Sequence, residues 1–161
     1  MKQIILLRHA KSSWDDAELD DLDRPLNARG EKQGPAAGLW LRENGWVPDL
    51  ILASHALRAQ QTAYAVAQSC GYSGPILTRP ALYRTDASAY REVVRAVLDR
   101  YQRVMLVGHN PEIEEFLATL IPNPPPLKTA TLAVIALPIE HWSDLKERPE
   151  GKLLACFKPT I

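Results

Sequence analysis

Three short apolar runs set the rhythm of the chain: Ile4 to Leu7, Leu50 to Ala53 and Val104 to Val107. Each is continuously apolar rather than alternating, the pattern of a strand buried on both faces of a parallel sheet. Each ends abruptly in polar residues and leads toward a segment with helical character. Ile113, Phe116, Leu117, Leu120 and Ile121 repeat at the spacing of one buried helix face, with Pro111 suited to the first turn. Val93, Val94, Val97 and Leu98 predict an amphipathic helix before the third run, and the Ala- and Gln-rich stretch from Arg58 to Gln68 predicts one after the second. Asn27 to Asn44 also reads as helical, with Leu39, Trp40 and Leu41 available to cover a sheet and a kink or break expected near Pro35. The proline-rich stretch 122–126 is a loop, and Thr131 to Leu137 and Leu153 to Phe157 read as strands that pair as an antiparallel edge. Repeated strand-then-helix order predicts an α/β fold: three layers, α/β/α, around a mostly parallel sheet.

Length and charge narrow the function without naming it. The 161 residues are the size of one domain, expected over 1–161. Nineteen basic and nineteen acidic residues cancel, so no global field favours nucleic acid or an anionic membrane, and any anion site is local. Cys70 and Cys156 lie far apart with no metal-type spacing and are expected as reduced thiols, which fits a cytoplasmic setting. The N-terminal apolar run is too short, and too soon interrupted by Arg8, for a signal peptide, and no run is long enough to span a bilayer.

The chemistry lies at the strand ends. The first run closes in Arg8-His9-Ala10-Lys11-Ser12-Ser13, the second in Ser54-His55-Ala56-Leu57-Arg58 and the third in Gly108-His109-Asn110-Pro111. In an open parallel sheet ligands bind outside the carboxyl ends of the strands, where loops and helix N-termini converge. If the three strands run parallel, these residues make a cationic, donor-rich pocket suited to a phosphoryl group. Arg8 and Arg58 offer forked donors that stay charged through a turnover. A histidine among them is kept neutral and can attack phosphorus, so His9 is the candidate nucleophile. Lys11, Ser12 and Ser54 are candidates for substrate contact. His55 and His141 are expected to be ordinary loop residues, Arg24 and Arg29 to tie the long loop to the next helix, and the four tryptophans to serve packing. A metal centre on His9, His55 and His109 is disfavoured because the arginines would repel a cation.

These segments resemble the histidine phosphatase superfamily, whose fold is often called phosphoglycerate mutase-like. The resemblance rests on Leu7-Arg8-His9-Ala10-Lys11-Ser12, on Arg58 in Ser54 to Thr62, and on His109 in Val107 to Pro111. Asp23-Arg24-Pro25-Leu26-Asn27-Ala28-Arg29-Gly30 adds a fourth match, and with the short length it points to the small phosphohistidine phosphatases similar to the bacterial SixA proteins. It covers roughly residues 1 to 137. It implies that His9 takes the phosphoryl group, that Arg8 and Arg58 bind its oxygens and that His109 stabilises the transition state, with no metal or other cofactor. The implied partner is a phosphorylated protein, or else a small phosphorylated substrate, with inorganic phosphate as product.

One departure bears on the substrate. Many relatives place a glutamate after the strand that follows the second motif, to protonate a leaving alkoxide. This chain reads Ala81-Leu82-Tyr83-Arg84-Thr85-Asp86 there, leaving Asp86 or the loop residues Asp15 and Asp16 as possible acids. Without an acid, imidazole is a better leaving group than an alkoxide, which favours phosphohistidine. Intervals between the motifs leave little room for the caps of larger relatives. The alternatives are a phosphatase for a small metabolite and a non-catalytic phosphate-binding module.

Overall fold

In the computed structural model, which describes residues 1–161, six strands form one sheet. They are β1 (Lys2–Arg8), β2 (Leu50–Ala53), β3 (Ile76–Thr78), β4 (Arg103–Gly108), β5 (Leu132–Leu137) and β6 (Lys152–Phe157), in the order β3-β2-β4-β1-β5-β6. The three expected apolar runs are β1, β2 and β4, and they run parallel side by side, Leu6 opposite Leu106 and Leu52 opposite Leu106 on its other flank. β5 pairs antiparallel with β1, and β6 antiparallel with β5, so the antiparallel edge is two strands wide. β3 has three residues, two of them exposed, and is too short and too polar to register as a hydrophobic run.

Four helices cover the two faces: α1 (Ala28–Glu43), α2 (Leu57–Cys70), α3 (Ala87–Arg95) and α4 (Glu112–Leu120). The continuous strands divide their side chains between the layers. Ile4, Leu6, Leu52 and Leu106 pack with Tyr90 and Val94 of α3 and Phe116 and Leu117 of α4. Ile5, Leu7, Ile51 and Met105 pack with Ala37 and Leu41 of α1 and Ala63 and Val66 of α2. That two-sided burial is why these strands carry no polar alternation.

Several local expectations shift. α1 runs unbroken through Pro35, capped at its start by the Asn27 side chain, which accepts the Gly30 N–H. Leu41 is buried, Trp40 stacks on Phe157 and Leu39 faces solvent. α3 begins at Ala87 and stops at Arg95, so Val97 lies beyond it, partly buried, and Leu98 is exposed. Cys70 and Cys156 are both free thiols, and no helix is long and apolar enough to cross a membrane.

Candidate active site

Parallel pairing of β2, β4 and β1 brings their three carboxyl ends to one sheet edge, where a cavity of about 280 Å³ opens. Arg8, His9, Arg58 and His109 all line it, as the strand-end reading expects.

The turn after β1 is held from three sides. The His9 N–H donates to the Gly108 carbonyl of β4. The Ala10 N–H donates to Thr62 Oγ1 at 2.9 Å, and the same hydroxyl donates to the Arg58 carbonyl at 2.7 Å, so one side chain of α2 joins the His9 turn to the Arg58 turn. The Lys11 N–H donates to Gln33 of α1, and the Lys11 carbonyl accepts from Asn27. Gly30 makes that approach possible, since a Cβ there would sit 2.0 Å from the Lys11 carbonyl oxygen.

Histidine geometry defines the chemistry. His9 Nδ1 lies 2.7 Å from the Ala10 carbonyl, an acceptor only, so the proton resides on Nδ1 and the Nε2 lone pair is left for the cavity. Burial, reinforced by the charges of Arg58, Arg8 and Arg24, lowers the His9 pKa to about 4 against the pull of that hydrogen bond. The ring is therefore neutral at neutral pH. His109 stands beside it, ring centroids 5.1 Å apart, with its pKa lowered to about 3 by burial and by the neighbouring His9 and Arg58. Its Nε2 is 2.8 Å from Ser54 Oγ, and its backbone N–H donates to the buried Tyr90 hydroxyl. Gly108 must be glycine for that hydroxyl to reach, because a Cβ would lie 2.3 Å from it.

The cationic side is organised around a residue the sequence reading passed over. Asp21, in the 3-10 turn Asp21–Asp23, accepts from Arg24 Nε at 3.0 Å, from Arg58 at 2.9 Å and from the Tyr83 hydroxyl at 2.7 Å, with Arg84 3.7 Å away. Arg58 also donates to the Asp21 carbonyl. Burial alone would raise the Asp21 pKa, but donation from Tyr83, Arg58 and Arg24 outweighs it and holds the carboxyl well below the usual range. The guanidinium of Arg58 is thus fixed at 5% exposure, and that of Arg24 at 7%. Arg8, on the β1 side, donates to the Leu127 carbonyl, and burial lowers its pKa from the free value.

Not every expected residue serves as anticipated. Ser54 is fully buried behind His109 and outside the cavity lining, so it positions that ring and does not touch substrate. Asp86 caps α3 by accepting the Ala89 N–H, and Asp16 accepts the Glu18 N–H on an exposed loop; neither lines the cavity, and neither is placed as an acid. Lys11 and Ser12 do line it, although Ser12 Oγ is occupied by an Arg24 N–H at 2.8 Å. Arg24 is a pocket residue as well as a tie, whereas Arg29 reaches the Ile161 carbonyl instead. His55 stays outside, its ring edge-on to Tyr83.

Two further lining residues escaped the sequence reading. Trp14 is exposed at the rim with the Arg24 guanidinium 3.4 Å from its ring centroid, a site role rather than a packing one. Glu112, the first residue of α4, is only 7% exposed, and burial with repulsion from Glu115 raises its carboxyl pKa despite donation from nearby backbone N–H groups. Of the two carboxyls in the cavity, it is the one disposed to carry a proton.

A layered α/β fold with four guanidinium groups and two neutral imidazoles converging at one sheet edge defines a site suited to a phosphoryl group. Residues 4–103 match the model of the histidine phosphatase superfamily (branch 1), and the chain belongs to that family. It is 33% identical over 152 residues to an uncharacterized chloroplastic protein of Arabidopsis thaliana, covering 89% of this chain and 70% of that one. An uncharacterized protein of Mycobacterium tuberculosis is 36% identical over 105 residues, 65% of this chain and 63% of its own length. Among solved structures, one described as the putative phosphohistidine phosphatase SixA from Agrobacterium tumefaciens superposes with a TM-score of 0.83 at 28% identity and 98% coverage of both chains.

Proposed function

We propose that the chain, acting as one catalytic domain over residues 1–161, removes the phosphoryl group from phosphohistidine on a protein through a covalent intermediate on His9. The observation that carries the reading is a neutral His9 with its Nε2 lone pair unoccupied among the guanidinium groups of Arg8, Arg24 and Arg58. In the first step Nε2 attacks phosphorus, the P–N bond of the substrate breaks, and its electron pair leaves with the substrate ring, whose other nitrogen already carries a proton, so that neutral imidazole departs. In the second, water attacks the phosphorus of phospho-His9, giving inorganic phosphate and restoring the ring. The arginines hold the phosphoryl oxygens, and His109, oriented by Ser54, donates to the charge that builds on them, which is where most phosphoryl-transfer catalysis arises. Likeness to a SixA structure over 98% of both chains supports phosphohistidine as the substrate, as does a cavity open to a side chain presented from outside. A cytoplasmic setting accompanies this reading, in keeping with the free Cys70 and Cys156.

Glu112 favours a second reading. A buried carboxyl with a raised pKa inside the cavity supplies the acid that Asp86 and Asp16 do not, and so removes the objection to ester substrates. A small phosphorylated metabolite is then the alternative substrate. Both readings are tested by incubating the protein with a phosphohistidine-bearing protein, free phosphohistidine and aryl and alkyl phosphates, alongside His9→Ala. Turnover confined to the P–N bond and lost in His9→Ala is expected; fast release from alkyl phosphates selects the metabolite reading. Tight phosphate binding without turnover makes the pocket a binding module, and a trapped label on another histidine overturns the nucleophile.

A further inference from the structure

Two aromatic rings line the cavity, and their surroundings differ. Tyr83 is fully engaged: its hydroxyl donates to Asp21, His55 and His109 meet it edge-on, and Arg84 and Arg58 flank it. Trp14 has one partner, Arg24, and is 71% exposed. A separation of 3.4 Å from guanidinium carbon to ring centroid is a stacking contact, so one face of the indole is covered and the other is left to the solvent at the cavity mouth.

The covered face fixes the open one. Arg24 is held by Asp21 at 3.0 Å, Ser12 Oγ at 2.8 Å and the Ser13 carbonyl at 3.1 Å, and is nearly buried. An indole backed by so constrained a plane loses little freedom when a second flat group settles on it, and rigid aromatic surfaces bind at low entropic cost for that reason. Trp14 follows Ser12 by two residues on the loop that lines the cavity, within the same pocket as His9. A phosphoryl group held beside His9 would lie in the cavity that Trp14 also lines.

We propose that the open face of Trp14 is a stacking subsite for a planar aromatic ring carrying the phosphoryl group, the imidazole of a phosphohistidine. The inference rests on the P–N reading above and deepens it, for it gives the pocket a reason to distinguish phosphohistidine from a phosphoramidate that has no ring. It also turns an exposed indole on an otherwise polar rim into part of the site.

The test compares wild type, Trp14→Leu and Trp14→Phe on free phosphohistidine and on phosphoramidate, the ringless P–N compound, with kcat and KM measured separately. Aromatic stacking on a base is typically strong enough that its loss costs about ten- to a hundredfold in binding. Trp14→Leu is therefore expected to lose at least about tenfold more kcat/KM on phosphohistidine than on phosphoramidate, chiefly through KM, with Trp14→Phe recovering most of it. Equal losses on the two substrates, or no loss on phosphohistidine, overturn the subsite. So does a loss seen only with phosphorylated protein and not with free phosphohistidine, which would make Trp14 a docking residue for the carrier. Wild type inactive on every P–N substrate refutes the substrate reading itself, whereas wild type active on both but indifferent to the ring refutes only the subsite. Trp14 is exposed, and thermal melting of each variant verifies that it folds.

Discussion

The loop around Asp21 and the first turn of α4 each place one carboxyl in the same cavity, and the two groups behave oppositely. Asp21 accepts from two arginines and a tyrosine and is held ionised. Glu112 meets no cation, sits near Glu115, and retains its proton to higher pH. One anchors the guanidinium groups that line the cavity; the other, in the ester reading proposed above, is the proton source. Residue type does not assign these roles. The environment separates the two pKa values, which is how one pocket can house both functions.

The comparison is broken most severely at Glu112. Glu112→Gln keeps the shape and removes the proton, so under the ester reading turnover of alkyl phosphates should fall by about 10²–10⁴, while turnover of phosphohistidine, with its better leaving group, falls less than about tenfold. Steady-state kinetics on both substrates checks this. Equal losses would reduce Glu112 to a wall of the cavity, and wild type inert toward alkyl phosphates would remove the ester reading.

At Asp21 the expected effect is on stability. Asp21→Asn strips the counter-charge from Arg58 and Arg24, and denaturant unfolding at neutral pH should show a loss of about 2 kcal/mol, smaller than for a fully buried pair because the site is partly solvated. Affinity for inorganic phosphate, followed by calorimetry, should weaken as Arg58 loses its fixed position.

The smallest effect is also the sharpest, since it has a sign. The lowered Asp21 pKa contributes stability that is present above its unfolded value of 3.8 and is lost as pH falls through that region. The raised Glu112 pKa works the other way: the folded state binds more protons than the unfolded one, so its cost grows as pH rises past 4.5. Glu112→Gln should therefore be more stable than wild type at pH 7, with the gain vanishing toward pH 4. His9 and His109 add a common slope, because their neutral rings at pH 4 to 6.5 leave the unfolded chain with more bound protons, so stability rises with pH there. Unfolding curves across pH 4–7 separate the Glu112 and histidine contributions, and their extension below pH 3.8 reports that of Asp21.

What the sequence made legible was local. β1, β2 and β4 announced themselves because strands buried on both faces are continuously apolar, and Arg8, His9, Arg58 and His109 followed because each stands next to or just past the end of such a run. Asp21 was hidden inside an acidic loop that reads as solvated surface, and its link to Arg58 spans 37 residues. Glu112 was hidden for another reason: an acid in the first turn of a helix is what the helix dipole favours, so nothing marks it as part of a pocket. Ser54 and Asp86 were misplaced because sequence shows neighbourhood along the chain but not which way a side chain turns.

The hydroxyl of Thr62, donating to the Arg58 carbonyl while accepting the Ala10 N–H, bears on how this enzyme can be altered. It makes the His9 turn and the Arg58 helix one rigid block, to which the loop 13–24 is fastened through Asp21 on Arg58 and Arg24 on Ser12. Variation of that loop can then proceed freely only at positions outside those two fasteners. A library that randomises 14–19 while holding 21 and 24 would explore new leaving groups on an intact phosphoryl cradle, whereas exchange of the loop as a block would dismantle the cradle along with the specificity.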